Sequence, residues 1–158
     1  MQKITTFLTF ADRGEEAVRF YVETFKNSSI ESMYICGDDG PLPKGTMLNA
    51  QFTLDGQKFM AMEAGPKFTF EQGFSLYVNC DDQAEIDYLW DRLSEGGEPQ
   101  VCGWLKDKYG VSWQIIPSVL GPLMGSPDPE KSQRVMQALL QMTKMDIKGL
   151  QDAHDGTA

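Results

Sequence analysis

Threonine alternates with bulky apolar residues from Ile4 to Phe10, a period of two that predicts a strand. Asp12, Arg13, Gly14, Glu15 and Glu16 follow, with acids where a helix N-terminus favours them. Val18, Tyr21, Val22 and Phe25 then recur at i, i+3, i+4, i+7, so one helical face is apolar. Asn27, Ser28 and Ser29 stop that helix. Three strands are expected next: Ile30 to Cys36, Thr46 to Leu54 and Gln57 to Ala64. The last two flank Asp55-Gly56, a strong two-residue hairpin signal. The loop GDDGPLPKG, Gly37 to Gly45, has the length and composition of a lid.

The same order recurs. Phe74 to Asn79 reads as a strand, and a helix from about Gln83 to Ser94 follows. Its Ile86, Leu89, Trp90 and Leu93 stand 68 positions after Val18, Tyr21, Val22 and Phe25. At the same offset Phe7 falls on Ser75 and Phe10 on Val78. Gly96-Gly97 ends the helix. Glu98 to Cys102, Trp104 to Asp107 and Val111 to Ile116 supply short strands. A repeat at this scale implies two copies of one supersecondary unit. After Pro117 comes a turn-rich connector, then Asp128 as N-cap with Pro129 behind it. Val135, Met136, Leu139, Leu140 and Met142 predict a wide apolar face on the helix that follows. The end, QDAHDGTA, reads as a polar, fraying tail.

Charge and composition narrow the function. The formal net charge is -9, with 14 basic residues scattered among 23 acidic ones. Without a basic stripe the chain is poorly suited to nucleic acid or an anionic membrane. No apolar run approaches the length of a membrane span, and the opening apolar stretch is too short for a signal peptide. A cytoplasmic protein is expected. Cys36, Cys80 and Cys102 are an odd number at wide spacing, so they read as reduced thiols rather than a disulfide framework or zinc site. The sole histidine, His154, lies in the polar tail and reads as solvated. Histidine-based nucleophilic or zinc chemistry in the body of the chain is thereby removed.

Residues 77–117, YVNCDDQAEIDYLWDRLSEGGEPQVCGWLKDKYGVSWQIIP, resemble the family labelled 3-demethylubiquinone-9 3-methyltransferase, related to the PhnB-like proteins. LDGQKFMAMEAGPKFTF and the tail DPEKSQRVMQALLQMTKMDIKGLQDAH are similar to it as well. The resemblance places the chain in a branch of the vicinal-oxygen-chelate superfamily (glyoxalase, bleomycin resistance, dioxygenase). It implies an α+β fold of two paired βαβββ modules, about 1–66 and 72–117, in one domain over 1–117. Residues 118–158 form a C-terminal helical extension. It also implies a homodimer with a concave small-molecule cavity. The methyltransferase label finds no support in the residues, because no glycine-rich loop follows the first strand.

Metal-dependent members of that superfamily draw four ligands from the concave faces of strands one, four, five and eight. Alternation assigns Thr5, Phe7 and Thr9 to that face of strand one, and Gly73, Ser75 and Tyr77 to that of strand five. On strand four, Glu63 is taken as concave with Phe59 and Ala61, opposite Met60 and Met62. On strand eight, Gln114 is taken as concave with Ser112, opposite Trp113 and Ile115. Glu63 and Gln114 then match two ligand positions, and the other two lack a ligating side chain. One carboxylate and one amide hold a transition metal poorly, so neither metal nor cofactor is expected. Phe7, Asn49, Gln51, Ser75, Tyr77, Trp104 and Gln114 are the candidate ligand-binding residues, and Glu63 is the candidate catalytic base. Trp104 and Trp113 also suit core or interface positions, and the nine methionines suit flexible filler. Three roles stay open: binding of a small molecule, an enzyme acting on a carbonyl or enolisable compound through Glu63, and a protein whose dimer surface is its working part.

Overall fold

The alternating segments of the first half pair as strands because one side of each carries the apolar residues that a helix can cover. In the computed structural model, residues 2–71 and 73–157 are described. The chain divides into two units, Met1–Thr69 and Phe70–Ala158.

The first unit holds β1 (Thr6–Phe10), α1 (Gly14–Thr24), β2 (Ser29–Ile35), β3 (Met47–Leu54) and β4 (Gln57–Glu63). Its sheet runs β1-β4-β3-β2, with β1 parallel to β4 and the other pairs antiparallel. Leu8, Phe10, Ala50, Phe52, Phe59 and Ala61 are buried on the α1 side, together with Ala17, Val18 and Tyr21 of the helix. Val22 and Phe25, expected in the apolar stripe, are only half-buried. Asp55 and Gly56 have φ of 46° and 80°, as a two-residue hairpin with two left-handed positions requires.

The second unit repeats the order with β5 (Leu76–Cys80), α2 (Gln83–Ser94), β6 (Glu98–Pro99), β7 (Trp104–Lys106) and β8 (Ser112–Pro117). Its sheet runs β5-β8-β7-β6, the same topology as the first. Ile86, Leu89, Trp90 and Leu93 are all buried, so the second copy of the helical face is where the pattern puts it. Asp82 caps α2 by accepting from the Glu85 N–H at 2.8 Å, and the Glu85 carboxylate accepts from the Asp81 N–H at 2.8 Å. The β7–β8 turn is built on Asp107, which is 3% exposed. Its carboxylate accepts from the N–H groups of Tyr109 (2.9 Å) and Val111 (3.0 Å) and from Trp113 Nε1 (2.8 Å). These bonds offset the cost of burying the charge.

Three helices complete this unit: α3 (Leu120–Met124), α4 (Pro129–Leu140) and α5 (Ile147–Asp155). Asp128 caps α4 as expected, accepting from Glu130 N–H at 3.0 Å, with Pro129 at the start. The wide apolar face expected on α4 is only partly used. Val135 is buried, whereas Met136 and Leu140 are exposed. The polar tail is a correction: it is helical through Asp155, and the His154 side chain is only 20% exposed. Arg134 explains this. Its guanidinium donates to the carbonyls of Ala153 and His154, both at 2.8 Å, and so caps α5 from another helix. Gly156, at φ 75°, ends it.

The expected strand from Glu98 to Cys102 is cut to two residues by the turn that follows. Cys102 and Gly103 both take left-handed φ, 59° and 82°. Their N–H groups donate to the carbonyls of Met142 and Thr143, at 2.8 and 2.9 Å. The Gly103 carbonyl accepts from the Ile115 N–H of β8 at 2.8 Å. A Cβ on Gly103 would lie 2.8 Å from Ile116 Cδ1, 2.9 Å from the Ile115 carbonyl oxygen and 3.0 Å from Met145 Cγ. Gly103→Ala therefore combines an unfavourable φ with overpacking, and we expect a loss of about 2–4 kcal/mol. Urea denaturation checks it against Gly37→Ala, where a Cβ meets nothing within 4 Å and the midpoint should barely move.

Candidate functional site

Each sheet has one face turned away from its helix, and strand register decides which side chains stand there. In the first unit Phe7 pairs with Met60, Met60 with Gln51, and Gln51 with Ser32, giving one row across four strands. Tyr34 pairs with Asn49 in a neighbouring row. Phe7 is 45% exposed and Tyr34 58%. The row therefore offers an aromatic ring, a thioether, an amide and a hydroxyl on one surface.

Glu63 is not on that face. Ala61 pairs with Leu8 and Glu63 with Phe10, and Leu8, Phe10 and Ala61 are all buried against α1. Side chains alternate with a period of two, so a one-residue phase error moves a residue through the sheet. Met60 and Met62 occupy the face that the sequence analysis assigned to Glu63. The Glu63 carboxylate instead accepts from the Gly14 N–H at 2.9 Å. Arg13, at the N-cap of α1, has φ 53° and supplies no side-chain cap of its own. Glu63 fills that role from the end of β4, where the helix dipole also favours a negative charge.

In the second unit Tyr77 pairs with Gln114, and Gln114 with Trp104. These three lie together on the face away from α2. Gln114 Nε2 donates to Ser75 Oγ at 3.0 Å. Tyr77 is 54% exposed, and Trp104 is half-buried. Trp113 and Ile115 take the α2 side and are buried. The structure thus brings Ser75, Tyr77, Trp104 and Gln114 together in one unit, and Phe7, Asn49 and Gln51 in the other.

The donors on these faces do not fit a divalent metal. Around Phe7 and Gln114 they are hydroxyls, amides and thioethers, Glu98 stands alone at the outer strand of the second sheet, and the carboxylate of Glu63 is turned to a helix terminus. Among the described residues, no three His, Cys, Asp or Glu side chains come together as a metal cluster. Nor is Cys80 an activated nucleophile. Burial pushes the Cys80 thiol up to about 12, helped by the nearby carboxylates of Glu85, Asp81 and Asp82. Cys36 is also buried, and Cys102 is half-exposed.

Sequence reasoning missed Met60 and Met62 on the first open face and Lys106 on the second. For Lys106 the signal was present, since it stands two residues after Trp104 on the same strand. For the methionines it was not, because a thioether reads equally well as core.

Two measurements check these assignments. Glu63→Ala should cost about 1 kcal/mol through the lost cap, and Glu63→Gln clearly less because an amide oxygen still accepts, both read by urea denaturation. Iodoacetamide at pH 8 should label Cys102 first in the folded protein, with Cys36 and Cys80 reacting only after unfolding, as peptide mapping would report.

Comparison with known proteins agrees with this architecture. Residues 2–116 match the family model described as 3-demethylubiquinone-9 3-methyltransferase. The PhnB protein of Bacillus cereus, whose description carries the same methyltransferase label, is 41% identical. That match covers 74% of this chain and 100% of the other, with a TM-score of 0.71. A Pseudomonas aeruginosa protein is 26% identical over 74% of this chain and 98% of its own, with a TM-score of 0.63. The fosfomycin resistance protein FosX of Listeria monocytogenes, solved with Mn(II) and a dihydroxypropylphosphonic acid, is 12% identical. It covers 72% of this chain and 90% of its own at a TM-score of 0.52, a likeness of fold alone. No curated protein matches. The chain has the glyoxalase/bleomycin-resistance fold and belongs to the PhnB-like family described as 3-demethylubiquinone-9 3-methyltransferase.

Proposed function

We propose that this protein binds a small molecule and does not turn it over, each sheet offering side chains for binding on its own helix-free face. The observation that carries this reading is the makeup of those faces. Aromatic rings, amides and hydroxyls stand in register across the strands, a composition suited to holding and orienting a ligand. Neither a carboxylate nor an imidazole stands among Phe7, Met60, Gln51, Ser32, Tyr77, Gln114 and Trp104.

The enzyme reading needed Glu63 as a general base beside the ligand. A carboxylate occupied by the Gly14 N–H, on the helix side of β4, is poorly placed for that task. The methyltransferase label fares no better. Donor-binding folds of the doubly wound kind lay a glycine-rich loop between a parallel strand and a helix, and both sheets here are mixed four-stranded sheets without that loop. The proposal includes a homodimer, which the exposed side chains of Tyr88 and Leu140 would help to form. It also includes a cytoplasmic location, in keeping with three unpaired thiols. Among the described residues no helix is long and apolar enough to cross a membrane.

Native mass spectrometry of gently purified protein tests the reading. The expected result is a dimer without stoichiometric metal that releases an organic molecule on unfolding. One divalent metal per subunit, together with turnover of a carbonyl compound that Glu63→Gln abolishes, would overturn it.

A further inference from the structure

A shallow groove of about 490 Å3 opens in the second unit, lined by Gln100, Val101, Cys102, Trp104 and Ser112. Its size suits a molecule of one or two rings. Trp104 supplies an indole face at one side. Ser112 is 6% exposed, and its hydroxyl has no hydrogen-bond partner among the described residues. Because Ser112 lines the groove, its hydroxyl is available there to a ligand atom. The Gln100 side-chain amide and the Trp104 indole N–H are likewise unpartnered among the described residues. No acidic side chain lines the groove.

Charge sets the ligand's sign. Lys106 pairs with Ser112 across the β7–β8 ladder and so shares its face. It is exposed and forms no ion pair among the described residues. Glu98 stands on the far side of Lys106 in the same row, also without an ion pair to it. A ligand oxygen held by Ser112 therefore meets the ammonium before it meets a carboxylate. Ser112, Gln100 and Trp104 can each donate into the groove, and Lys106 adds a positive charge beside Ser112, a set that suits an anionic oxygen.

The groove's floor is fixed rather than adaptable. Cys102 and Gly103 are held by the carbonyls of Met142 and Thr143, and Cys102 Sγ lies 3.6 Å from the Leu139 carbonyl oxygen. A preformed wall of this kind reduces the ordering cost of binding.

We propose that this groove binds a planar aromatic carboxylate, its ring stacked on Trp104 and its carboxylate held between Ser112 and Lys106. This rests on the small-molecule reading above and names the class and subsite.

Two-dimensional NMR of protein labelled with 15N at its three indoles, Trp90, Trp104 and Trp113, tests it. The probes are 2-naphthoate and its neutral counterpart 2-naphthamide. We expect 2-naphthoate to shift the Trp104 indole resonance saturably and to leave Trp113, whose N–H is held by Asp107, in place. Affinity should fall about tenfold for 2-naphthamide and for Lys106→Gln, and should weaken further as salt is raised. Ser112→Ala should weaken 2-naphthoate several-fold, and Lys106→Gln, at an exposed site, keeps the test valid if Ser112→Ala fails to fold. Equal affinity for the two probes, or saturable binding that leaves Trp104 unmoved, would overturn the proposal while leaving ligand binding elsewhere intact. Absence of binding by both probes overturns it as well, and the native mass spectrum then judges the broader reading independently.

Discussion

Three backbones meet at Gly103, and the architecture of the second unit depends on there being no side chain at that point. The turn at Cys102–Gly103 donates two hydrogen bonds to the segment after α4 and accepts one from β8. Packing this tight leaves no room for a Cβ. It is also what joins the C-terminal helices to the sheet. Met145, which would touch that Cβ, is fully buried, and Gln83 at the start of α2 bonds both the Met145 carbonyl (2.9 Å) and the Ile147 N–H (2.8 Å). The last third of the chain is thus tied to the second sheet by backbone hydrogen bonds and to the N-terminus of α2 by the Gln83 side chain, as well as by apolar contact.

The two units solve the same local problem differently. Each needs an anchored helix N-terminus directly after a strand. In α2 the answer is local, since Asp82 and Glu85 cap within four residues. In α1 the residue at the cap is an arginine in left-handed conformation, and the acceptor comes from the far end of β4. One consequence is that a carboxylate which looks catalytic in sequence is held by a structural duty. Fold repetition therefore does not carry residue roles with it from one module to the other.

The fold was legible to the degree that it rests on periodicity. The helical stripe repeated at a fixed offset, the Asp55-Gly56 hairpin and the Asp128-Pro129 helix start all follow from short-range rules, and the structure has each of them. What stayed hidden rests on contacts between distant residues. Arg134 capping α5 from 19 and 20 positions away turned an apparent polar tail into a helix. On β4, alternation gave two possible phases, and only the pairing with Leu8 and Phe10 selects one. Among the candidate site residues, those on β1, β3, β5, β7 and β8 needed only alternation from a clear apolar neighbour. Glu63 needed knowledge of its parallel partner, which lies some fifty residues away in the chain. The groove beside Trp104 depends on the left-handed turn at Cys102, and no local motif announces that conformation for a cysteine.

The wiring at Cys102–Gly103 has a kinetic side. During synthesis the first unit has every strand and its covering helix once residue 69 is available. The second sheet has all its strands by residue 117, but the carbonyls that accept from its Cys102–Gly103 turn belong to residues 142 and 143. Until those residues leave the ribosome, the edge at β6 and β7 has unfilled donors and uncovered apolar surface. Such a nascent edge is the kind of segment that chaperones engage. The interval between residue 117 and residue 145 is therefore the stretch of synthesis over which that turn waits for its backbone acceptors.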